Sequence, residues 1–280
     1  NVLAILTGLS KVEIEKIISN LQFNNIIQKI ISGQSLVFTS EAIKNYIYAS
    51  VENKSQFHNR ISSILSKKLP SFNRMEFARQ FELAGEYELC YKTTMKEITE
   101  AERHSTFAYM QRVLDHLIKL PLNKNLIDSA KIKLAEVYLK LGDVQAALKT
   151  IKELKNVIPQ NKIDDRLYTI EGSALIASGE YEAGKRLISE LLKRLKDVDE
   201  KNRLRVELAY ADFELKSYAD AKVQCEEILK YKKLSPELKG RCFNLMGMIN
   251  IYQNNDLNLA LENFQNAKSQ FVGSDQPARI

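Results

Sequence analysis

The chain has 280 residues, of which 45% are hydrophobic and 27% are charged, a balance typical of a globular protein and not of a disordered one. Its 10 glycines and 5 prolines are too few for the many turns of an all-β fold, so the composition favours helices. The net charge of +6 comes from 41 basic and 35 acidic residues that are interspersed, which indicates solvated helix faces more than a nucleic-acid footprint.

Cysteine usage and hydropathy predict a cytoplasmic protein. Cys90, Cys225 and Cys242 are odd in number, widely spaced and each inside a helical pattern, so we expect reduced, buried thiols. No apolar run reaches the roughly 18 residues that a membrane span needs, and no signal peptide is visible. Because the chain begins at Asn1 inside an apolar helical run, we expect it to be a fragment of a longer protein.

Residues 1–70 have the pattern of a small winged-helix-like unit, incomplete at its N-terminus. Ser10 and Glu13 form a capping box for a helix from Val12 to Leu21. A β-hairpin is predicted next, and Ser40 can cap a following helix. The strands are placed at Ile30-Ile31 and Leu36-Val37-Phe38, with the turn at Ser32-Gly33-Gln34. The apolar side of the first helix is expected at Val12, Ile14, Ile17, Ile18 and Leu21.

Residues 71–280 have the pattern of repeated helix pairs, clearest between Ala130 and Pro159. Two apolar stripes with helical spacing flank Gly142-Asp143, so each helix has one face to bury. The stripes are Leu134, Ala135 and Tyr138 before the turn and Ala147, Ile151 and Leu154 after it. Gly142 suits the positive φ that ends a first helix, and Pro159 stops the second.

The helix-pair pattern recurs with a fixed period. Gly142 and Gly179 are 37 residues apart, Tyr181 and Tyr218 are again 37 apart, and the corresponding alanines, Ala221 and Ala260, are 39 apart. These pairs resemble tetratricopeptide repeats, whose usual length is about 34 residues. The resemblance implies an all-α, right-handed superhelix of helix-turn-helix repeats in which stacking of neighbouring units supplies the core.

The order of the two parts resembles the C-terminal winged-helix and tetratricopeptide segment of STAND-type signalling ATPases. Phe38, Tyr48, His58 and Ile61 fit a phrase of that family, although Ser40 stands where the family usually has His. The resemblance implies a non-catalytic interaction and regulatory scaffold in a larger cytosolic signalling protein. No catalytic residue of the family can be carried over, because its NTPase module would precede Asn1.

No constellation of residues in the sequence predicts an enzyme, a cofactor or a metal. His58, His104 and His116 are the only histidines, and none has a second ligand at metal-binding spacing. A glycine-rich phosphate loop and a nucleophile elbow are both missing. We therefore expect no catalytic residue, no cofactor and no metal.

An alternative function is transcription regulation through DNA contact by the winged helix. The candidate recognition helix offers Lys11, Lys16 and Asn20, but Glu13 and Glu15 lie among them and would repel phosphate. Nucleic-acid binding is therefore the less favoured interpretation, and packing within the protein the favoured one.

The tetratricopeptide resemblance implies a concave groove lined by the first helices, which binds a peptide or a neighbouring domain. Alignment on the turn glycine places arginines at one groove position and apolar side chains nearby. The candidate groove residues are Arg166, Arg203, Arg241, Tyr210, Phe213, Met248 and Tyr252. Paired guanidinium hydrogen bonds suit an acidic partner. The alternative is that the aromatics pack between units and that the arginines are solvated or pair with nearby acids such as Glu207 and Glu214.

Overall fold

The computed structural model describes residues 2–29, 36–68, 73–159, 163–231 and 233–272, and these residues form fifteen helices and one two-stranded sheet. The elements are α1 (Val2–Thr7), α2 (Lys11–Phe23), β1 (Ile27–Lys29), β2 (Leu36–Phe38), α3 (Glu41–Ala49), α4 (Lys54–Lys68), α5 (Arg74–Ala84), α6 (Tyr87–Arg103), α7 (Phe107–Leu117), α8 (Lys124–Leu141), α9 (Val144–Val157), α10 (Asp165–Ala177), α11 (Tyr181–Arg194), α12 (Val198–Glu214), α13 (Tyr218–Leu229), α14 (Pro236–Asn254) and α15 (Leu257–Val272). Within the described ranges, every helix is too short or too polar to cross a membrane.

The chain divides into two compact units, which are described separately. The described parts of residues 1–103 and 119–126 form one unit, and those of residues 104–118 and 127–280 form the other. The boundary expected at residue 70 from the sequence stays a prediction.

The first unit begins with the predicted capping box and with two antiparallel strands in the region of the predicted hairpin. Ser10 caps α2 and its backbone N–H is bound by Glu13, and the Ser40 side chain caps α3. Residues Ile27–Lys29 of β1 pair antiparallel with Leu36–Phe38 of β2. The first strand predicted at Ile30-Ile31 lies outside the described residues, directly after the last described residue of β1. The expected turn at residues 32–34 lies outside the described residues.

Helix α2 buries only part of its apolar side. Ile14 is buried, and Ile18 and Leu21 are half-buried. Val12 and Ile17 are exposed, with 74% of the Val12 surface accessible to solvent. Helix α2 therefore presents part of its apolar side to solvent.

A chain of hydrogen bonds joins α3, α4 and α5 through the buried imidazole of His58. The Tyr48 hydroxyl lies 2.8 Å from His58 Nε2, and His58 Nδ1 lies 2.6 Å from Oε1 of Gln80. Gln80 in turn donates its amide N–H to Glu76 at 2.6 Å. Since Gln80 Oε1 can only accept, Nδ1 carries the imidazole hydrogen and Nε2 accepts from Tyr48. Tyr48 and His58, which carry the sequence resemblance, are thus a structural contact.

The second unit contains four antiparallel helix pairs: α8 with α9, α10 with α11, α12 with α13, and α14 with α15. A residue with positive φ follows the first helix of each pair. These residues are Gly142 (82°), Gly179 (87°), Lys216 (62°) and Asn255 (49°). The expected role of Gly142 is confirmed, and α9 ends at Val157, just before Pro159.

Small residues allow the two helices of a pair to approach closely, as the sequence predicts. Ala135 and Ala147 are fully buried, and Gly172 and Gly184 are buried as well. A Cβ atom on Gly172 would lie 2.7 Å from Cγ1 of Ile188, and one on Gly184 would lie 2.6 Å from Cγ1 of Ile176. Only glycine fits at this crossing of α10 and α11.

The hydrophobic core lies between the second helix of one pair and the first helix of the next. Ile151 and Leu154 of α9 share one cluster with Leu167, Ile170 and Ala174 of α10. The same arrangement joins α11 to α12 and α13 to α14. The first helices of successive pairs also contact one another, α10 with α12 and α12 with α14.

Candidate functional site

The candidate site is the row of first helices α8, α10, α12 and α14, which we call the first-helix face. Side chains connect neighbouring members of this row directly. Arg166 of α10 contacts Glu136 of α8, and Arg241 of α14 contacts Glu207 of α12. The rings of Phe213 in α12 and Tyr252 in α14 meet edge to face, with centroids 5.6 Å apart.

Arg166 is held by two hydrogen bonds to one carboxylate. Its Nε and Nη2 atoms donate to Oε1 and Oε2 of Glu136 at 2.5 and 2.8 Å. Lys133 Nζ lies 3.0 Å from the same carboxylate. Burial alone would raise the pKa of Glu136, but the Arg166 hydrogen bond and the two cations outweigh burial and lower this pKa below its ordinary value. Glu136 is therefore a charged anchor between α8 and α10.

The other two arginines are also paired with carboxylates of the chain. Arg241 Nη2 donates to Glu207 at 2.9 Å across the α12–α14 contact. Arg203 instead pairs within its own helix and donates to both oxygens of Glu200, at 2.9 and 2.7 Å. In α10, Ile170 and Ser173 occupy the positions that correspond to Glu207 and Glu136. Neither has a carboxylate that could form an ion pair with Arg203.

These ion pairs belong to one electrostatic network. Burial would lower the pKa of Arg203, but the bond to Glu200 and the charges of Glu200, Glu207 and Glu136 raise it above its ordinary value. The structure thus brings Arg166, Arg203 and Arg241 to the predicted face but places an acidic side chain beside each one. Their positive charge is largely offset by these acids. For Arg241, the partner is Glu207, which the alternative interpretation of the sequence named. Their role as peptide-binding residues stays a prediction.

Two tyrosine hydroxyls converge on one carboxylate at the α11–α12 contact. Tyr181 and Tyr210 meet with ring centroids 6.4 Å apart, and both hydroxyls bond to Glu214. Burial and the hydrogen bond to Glu214 raise the pKa of Tyr210 to about 12. Tyr210 is therefore a neutral hydrogen-bond donor at any physiological pH, and Glu214 is used by tyrosines and not by arginines.

An aromatic group at the α12–α14 end of the face has one strongly exposed member. Phe213 is 9% exposed and contacts Tyr218 and Tyr252 at centroid distances of 5.5 and 5.6 Å. Tyr252 is 67% exposed, and Met248, one turn before it, is half-buried. We call Phe213, Tyr218 and Tyr252 the Tyr252 cluster. The predicted Phe213 and Tyr252 lie together, whereas Tyr218 was not among the predicted groove residues.

Ser173 in α10 is one of the residues in this row whose buried side-chain oxygen has no hydrogen-bond partner among the described residues. Ser173 Oγ in α10 is buried, and its position corresponds to Glu136 in α8 and Tyr210 in α12. A buried hydroxyl without a partner is costly unless water or a ligand completes it. Ser173 was not among the candidate groove residues, and nothing in the sequence pattern shows that its hydroxyl lacks a partner.

In the described ranges, no group of three or more His, Cys, Asp and Glu side chains is placed to hold a metal ion. On α2, Lys11 lies 3.8 Å from Glu15, and Glu13 accepts hydrogen bonds from Ser10. The surface of this helix is therefore mixed in charge, with Val12 and Ile17 exposed between the charges.

The paired helices, the left-handed turn residue of each pair and the row of first helices define a tetratricopeptide-like repeat protein. No protein-family model matches the chain, and no curated protein sequence matches it. Among solved structures, it is similar to a Signal Transduction ATPase with Numerous Domains (STAND) protein with a tetratricopeptide repeat sensor from Pyrococcus horikoshii, with a TM-score of 0.56 and 16% sequence identity. The match covers 96% of this chain and 41% of that one, so the chain spans less than half of that protein's length.

Two other solved structures match at lower TM-scores. BtubC (BKLC) from P. vanneervenii has a TM-score of 0.45 and 15% identity, over 82% of this chain and 96% of that one. The TPR2AB domain of yeast Sti1, in complex with pHSP90, has a TM-score of 0.32 and 16% identity, over 82% of this chain and 90% of that one. The predicted fold class is confirmed: all-helical, with tetratricopeptide-like repeats after a part that carries one small β-hairpin.

Proposed function

We propose that the chain is a non-catalytic interaction and regulatory segment of a larger cytosolic signalling protein of STAND-like architecture. Its first-helix face would bind a peptide or a neighbouring domain of the same longer protein. The likeness in fold to a STAND protein with a tetratricopeptide repeat sensor supports this proposal. The share of that structure covered, 41%, is consistent with a segment that works beside other domains.

The Tyr252 cluster is the observation that carries the proposal. Tyr252 is exposed, yet its ring is held in place by Phe213, which is itself packed in the core. A rigid, exposed aromatic ring loses little conformational entropy on binding, and such rings are common anchors of protein interfaces. Met248 and Ile251 flank it with apolar surface that can adapt to a partner. An apolar or aromatic side chain of the partner would bind at this end.

The arginines would set the register of the partner more than its affinity. Arg203 and Arg241 already have carboxylate partners, so an acidic segment must exchange with Glu200 and Glu207 to bind them. Such an exchange favours segments whose acidic groups lie at matching positions, but it adds little to the free energy of binding.

The DNA-binding alternative is weakened by the surface of α2. This helix presents Val12 and Ile17 beside Glu13 and Glu15, and an apolar and acidic surface suits a protein contact better than a phosphate backbone. Duplex DNA titrated at low salt would test it, and salt-dependent binding lost on charge reversal of Lys11 and Lys16 would revive the alternative.

The proposed function can be tested by panning a phage-displayed library of random linear peptides on the purified chain. Selected peptides should lose binding to Tyr252→Ala and keep binding to Tyr46→Ala, a matched control whose tyrosine is 79% exposed on α3 of the other unit. Both variants remove an exposed ring, so both should melt like the wild type. Selected peptides that bind Tyr252→Ala as well as the wild type would move the binding surface elsewhere.

A further inference from the structure

Two cysteines face each other in the core between the last two helix pairs. Cys225 in α13 and Cys242 in α14 are both fully buried in one hydrophobic cluster. A side-chain hydrogen bond between the two thiols shifts the pKa of each, so the two side chains are neighbours. Both are free thiols in the structure.

The repeat pattern shows what normally fills these two positions. The equivalent residues at the α9–α10 contact are Ile151 and Leu167, and at the α11–α12 contact they are Ile188 and Leu204. Each of these aliphatic pairs lies in one core cluster. At the third contact both positions become cysteine, although the surrounding cluster is otherwise aliphatic and aromatic. Packing alone is served by Ile and Leu, so the paired change points to sulfur chemistry.

The environment makes the two thiols unequal. The hydrogen bond with Cys225 and the charge of Arg241 lower the pKa of Cys242, although burial opposes them. The hydrogen bond with Cys242 and burial both raise the pKa of Cys225. Cys242 is therefore the thiol that more readily becomes a thiolate, the nucleophilic form.

We propose that Cys225 and Cys242 form a reversible disulfide that joins α13 to α14 when the protein meets a two-electron oxidant such as a peroxide. The Cys242 thiolate attacks one peroxide oxygen, the O–O bond breaks, and the other oxygen leaves as water after protonation. Cys225 then attacks the sulfenic sulfur of Cys242, and the oxygen bonded to that sulfur leaves as a second water. Two thiols are oxidised to one disulfide while one peroxide is reduced to two waters, and a dithiol reductant reverses the step.

Burial determines how the oxidant reaches the pair. Both thiols are fully buried, so peroxide gains access when the α13–α14 contact opens locally. Oxidation should be slow in buffer and faster in denaturant below the unfolding midpoint. Because α14 carries Arg241, Met248 and Tyr252, the disulfide would also restrain one end of the first-helix face.

Peptide mapping of the full chain tests this inference without any binding partner. Reduced protein is treated with hydrogen peroxide, alkylated under denaturing conditions and digested without reductant. We expect a linked peptide pair that contains Cys225 and Cys242, with two of the three thiols lost to alkylation and recovered after dithiothreitol. Cys90, whose pKa burial raises to about 11, lies on α6 in the other unit and should stay reduced.

Two variants complete the test. Cys90→Ser should leave the linked pair intact, whereas Cys225→Ile with Cys242→Leu restores the aliphatic pair of the other contacts and should fold without forming any internal link. Retention of all three thiols in the wild type after prolonged oxidation at sub-denaturing urea would overturn the proposal. So would linkage through Cys90, or oxidation of Cys242 to sulfinic acid without capture by Cys225.

Discussion

Arg241 in α14 donates a hydrogen bond to Glu207 in α12 across 2.9 Å. The two residues are 34 positions apart in the chain, and their ion pair joins the two helices. The Arg241 and Glu207 side chains are 34% and 18% exposed, so the pair is only partly screened by water. Ion pairs of this kind contribute roughly 0.2–1 kcal/mol. On this face they act between repeats, where they fix the spacing of neighbouring first helices.

Charge reversal tests the tie between α12 and α14. Arg241→Glu would set two carboxylates against each other and lower the melting temperature by a few degrees, since about 1 kcal/mol corresponds to roughly 2–4 °C at this size. The swap Arg241→Glu with Glu207→Arg should recover most of the loss. Calorimetry of both singles and the double gives the coupling energy. A coupling energy of zero would mean that the pair is incidental.

The turn after α12 contains a strained residue that glycine should relieve. Lys216 has a φ of 62°, whereas the equivalent residues of the two preceding pairs, Gly142 and Gly179, are glycines with φ of 82° and 87°. A left-handed conformation costs a non-glycine residue about 1 kcal/mol. Lys216→Gly should therefore raise the midpoint of urea unfolding, less the small entropy penalty of glycine. The reverse change, Gly179→Lys, should lower the midpoint. If both substitutions shift the midpoint in the same direction, the strain argument is wrong.

Close helix contacts predict a graded response to added methyl groups. In Gly184→Ala the new Cβ would lie 2.6 Å from Ile176 Cγ1 and 3.1 Å from the backbone oxygen of Gly172, so α10 and α11 must separate. We expect a loss of about 1–3 kcal/mol. Gly172→Ala should be milder because its short contacts are all with the Ile188 side chain, which can rotate. Urea denaturation of the two variants that ranks them the other way would contradict this geometry.

The equivalent contact in the α8–α9 pair can be overpacked as well. Ala147 is fully buried against the helix that carries Ala135. Ala147→Leu should cost about 1–3 kcal/mol because the core leaves no room for the longer side chain. Thermal melts measure the loss, and an unchanged melting temperature would count against the close approach of these two helices.

The sequence predicted the repeats well because their signals are local. Helical spacing of apolar residues, Gly142 and Gly179 at the turns, and alanines at the crossings were each visible within one helix pair. The positive φ of Lys216 and Asn255 was not predicted, because glycine was the residue used to recognise that conformation in the sequence.

The candidate site was harder to predict because its contacts join distant parts of the chain. The pairs of Arg166 with Glu136 and Arg241 with Glu207 depend on how first helices align, and no local spacing reveals that alignment. Arg203 is different, since Glu200 lies three residues earlier on the same helix face and such pairs are visible in a sequence. The sequence thus located the face but not the balance of charge on it.

The lowered pKa of Glu136 makes the stability of the repeat unit dependent on pH. A carboxyl group whose folded-state pKa is below its ordinary value of 4.5 stabilises the fold above that pH, and the contribution is lost as the pH falls from there through the folded-state pKa. Glu136→Gln should therefore be less stable than the wild type near neutral pH, and the gap should close on acidification. Urea denaturation near neutral pH and at a pH below 4.5 tests this. Glu262→Gln, at an exposed position on α15, is the control. A gap that stays constant would show that the loss comes from packing.

The last prediction separates a recognition role of the arginines from a purely structural one. Arg203→Gln with Arg241→Gln removes both positive charges but keeps side chains that can hydrogen-bond to Glu200 and Glu207. Two matched peptides are needed: an acidic one from the library selection and the same peptide with each Asp or Glu changed to Asn or Gln.

If the arginines exchange their carboxylates for those of a partner, the double variant should weaken the acidic peptide by roughly two- to fivefold, since each exchange yields little net energy, and leave its neutral version unchanged. Tyr252→Ala should weaken both peptides equally, because the ring contacts apolar groups that the two share. Fluorescence anisotropy with labelled peptides at two salt concentrations measures these affinities, and only the acidic peptide should lose affinity with salt. If the double variant weakens both peptides alike, the arginines act by holding α12 and α14 in place, and acidity of the partner is no longer required.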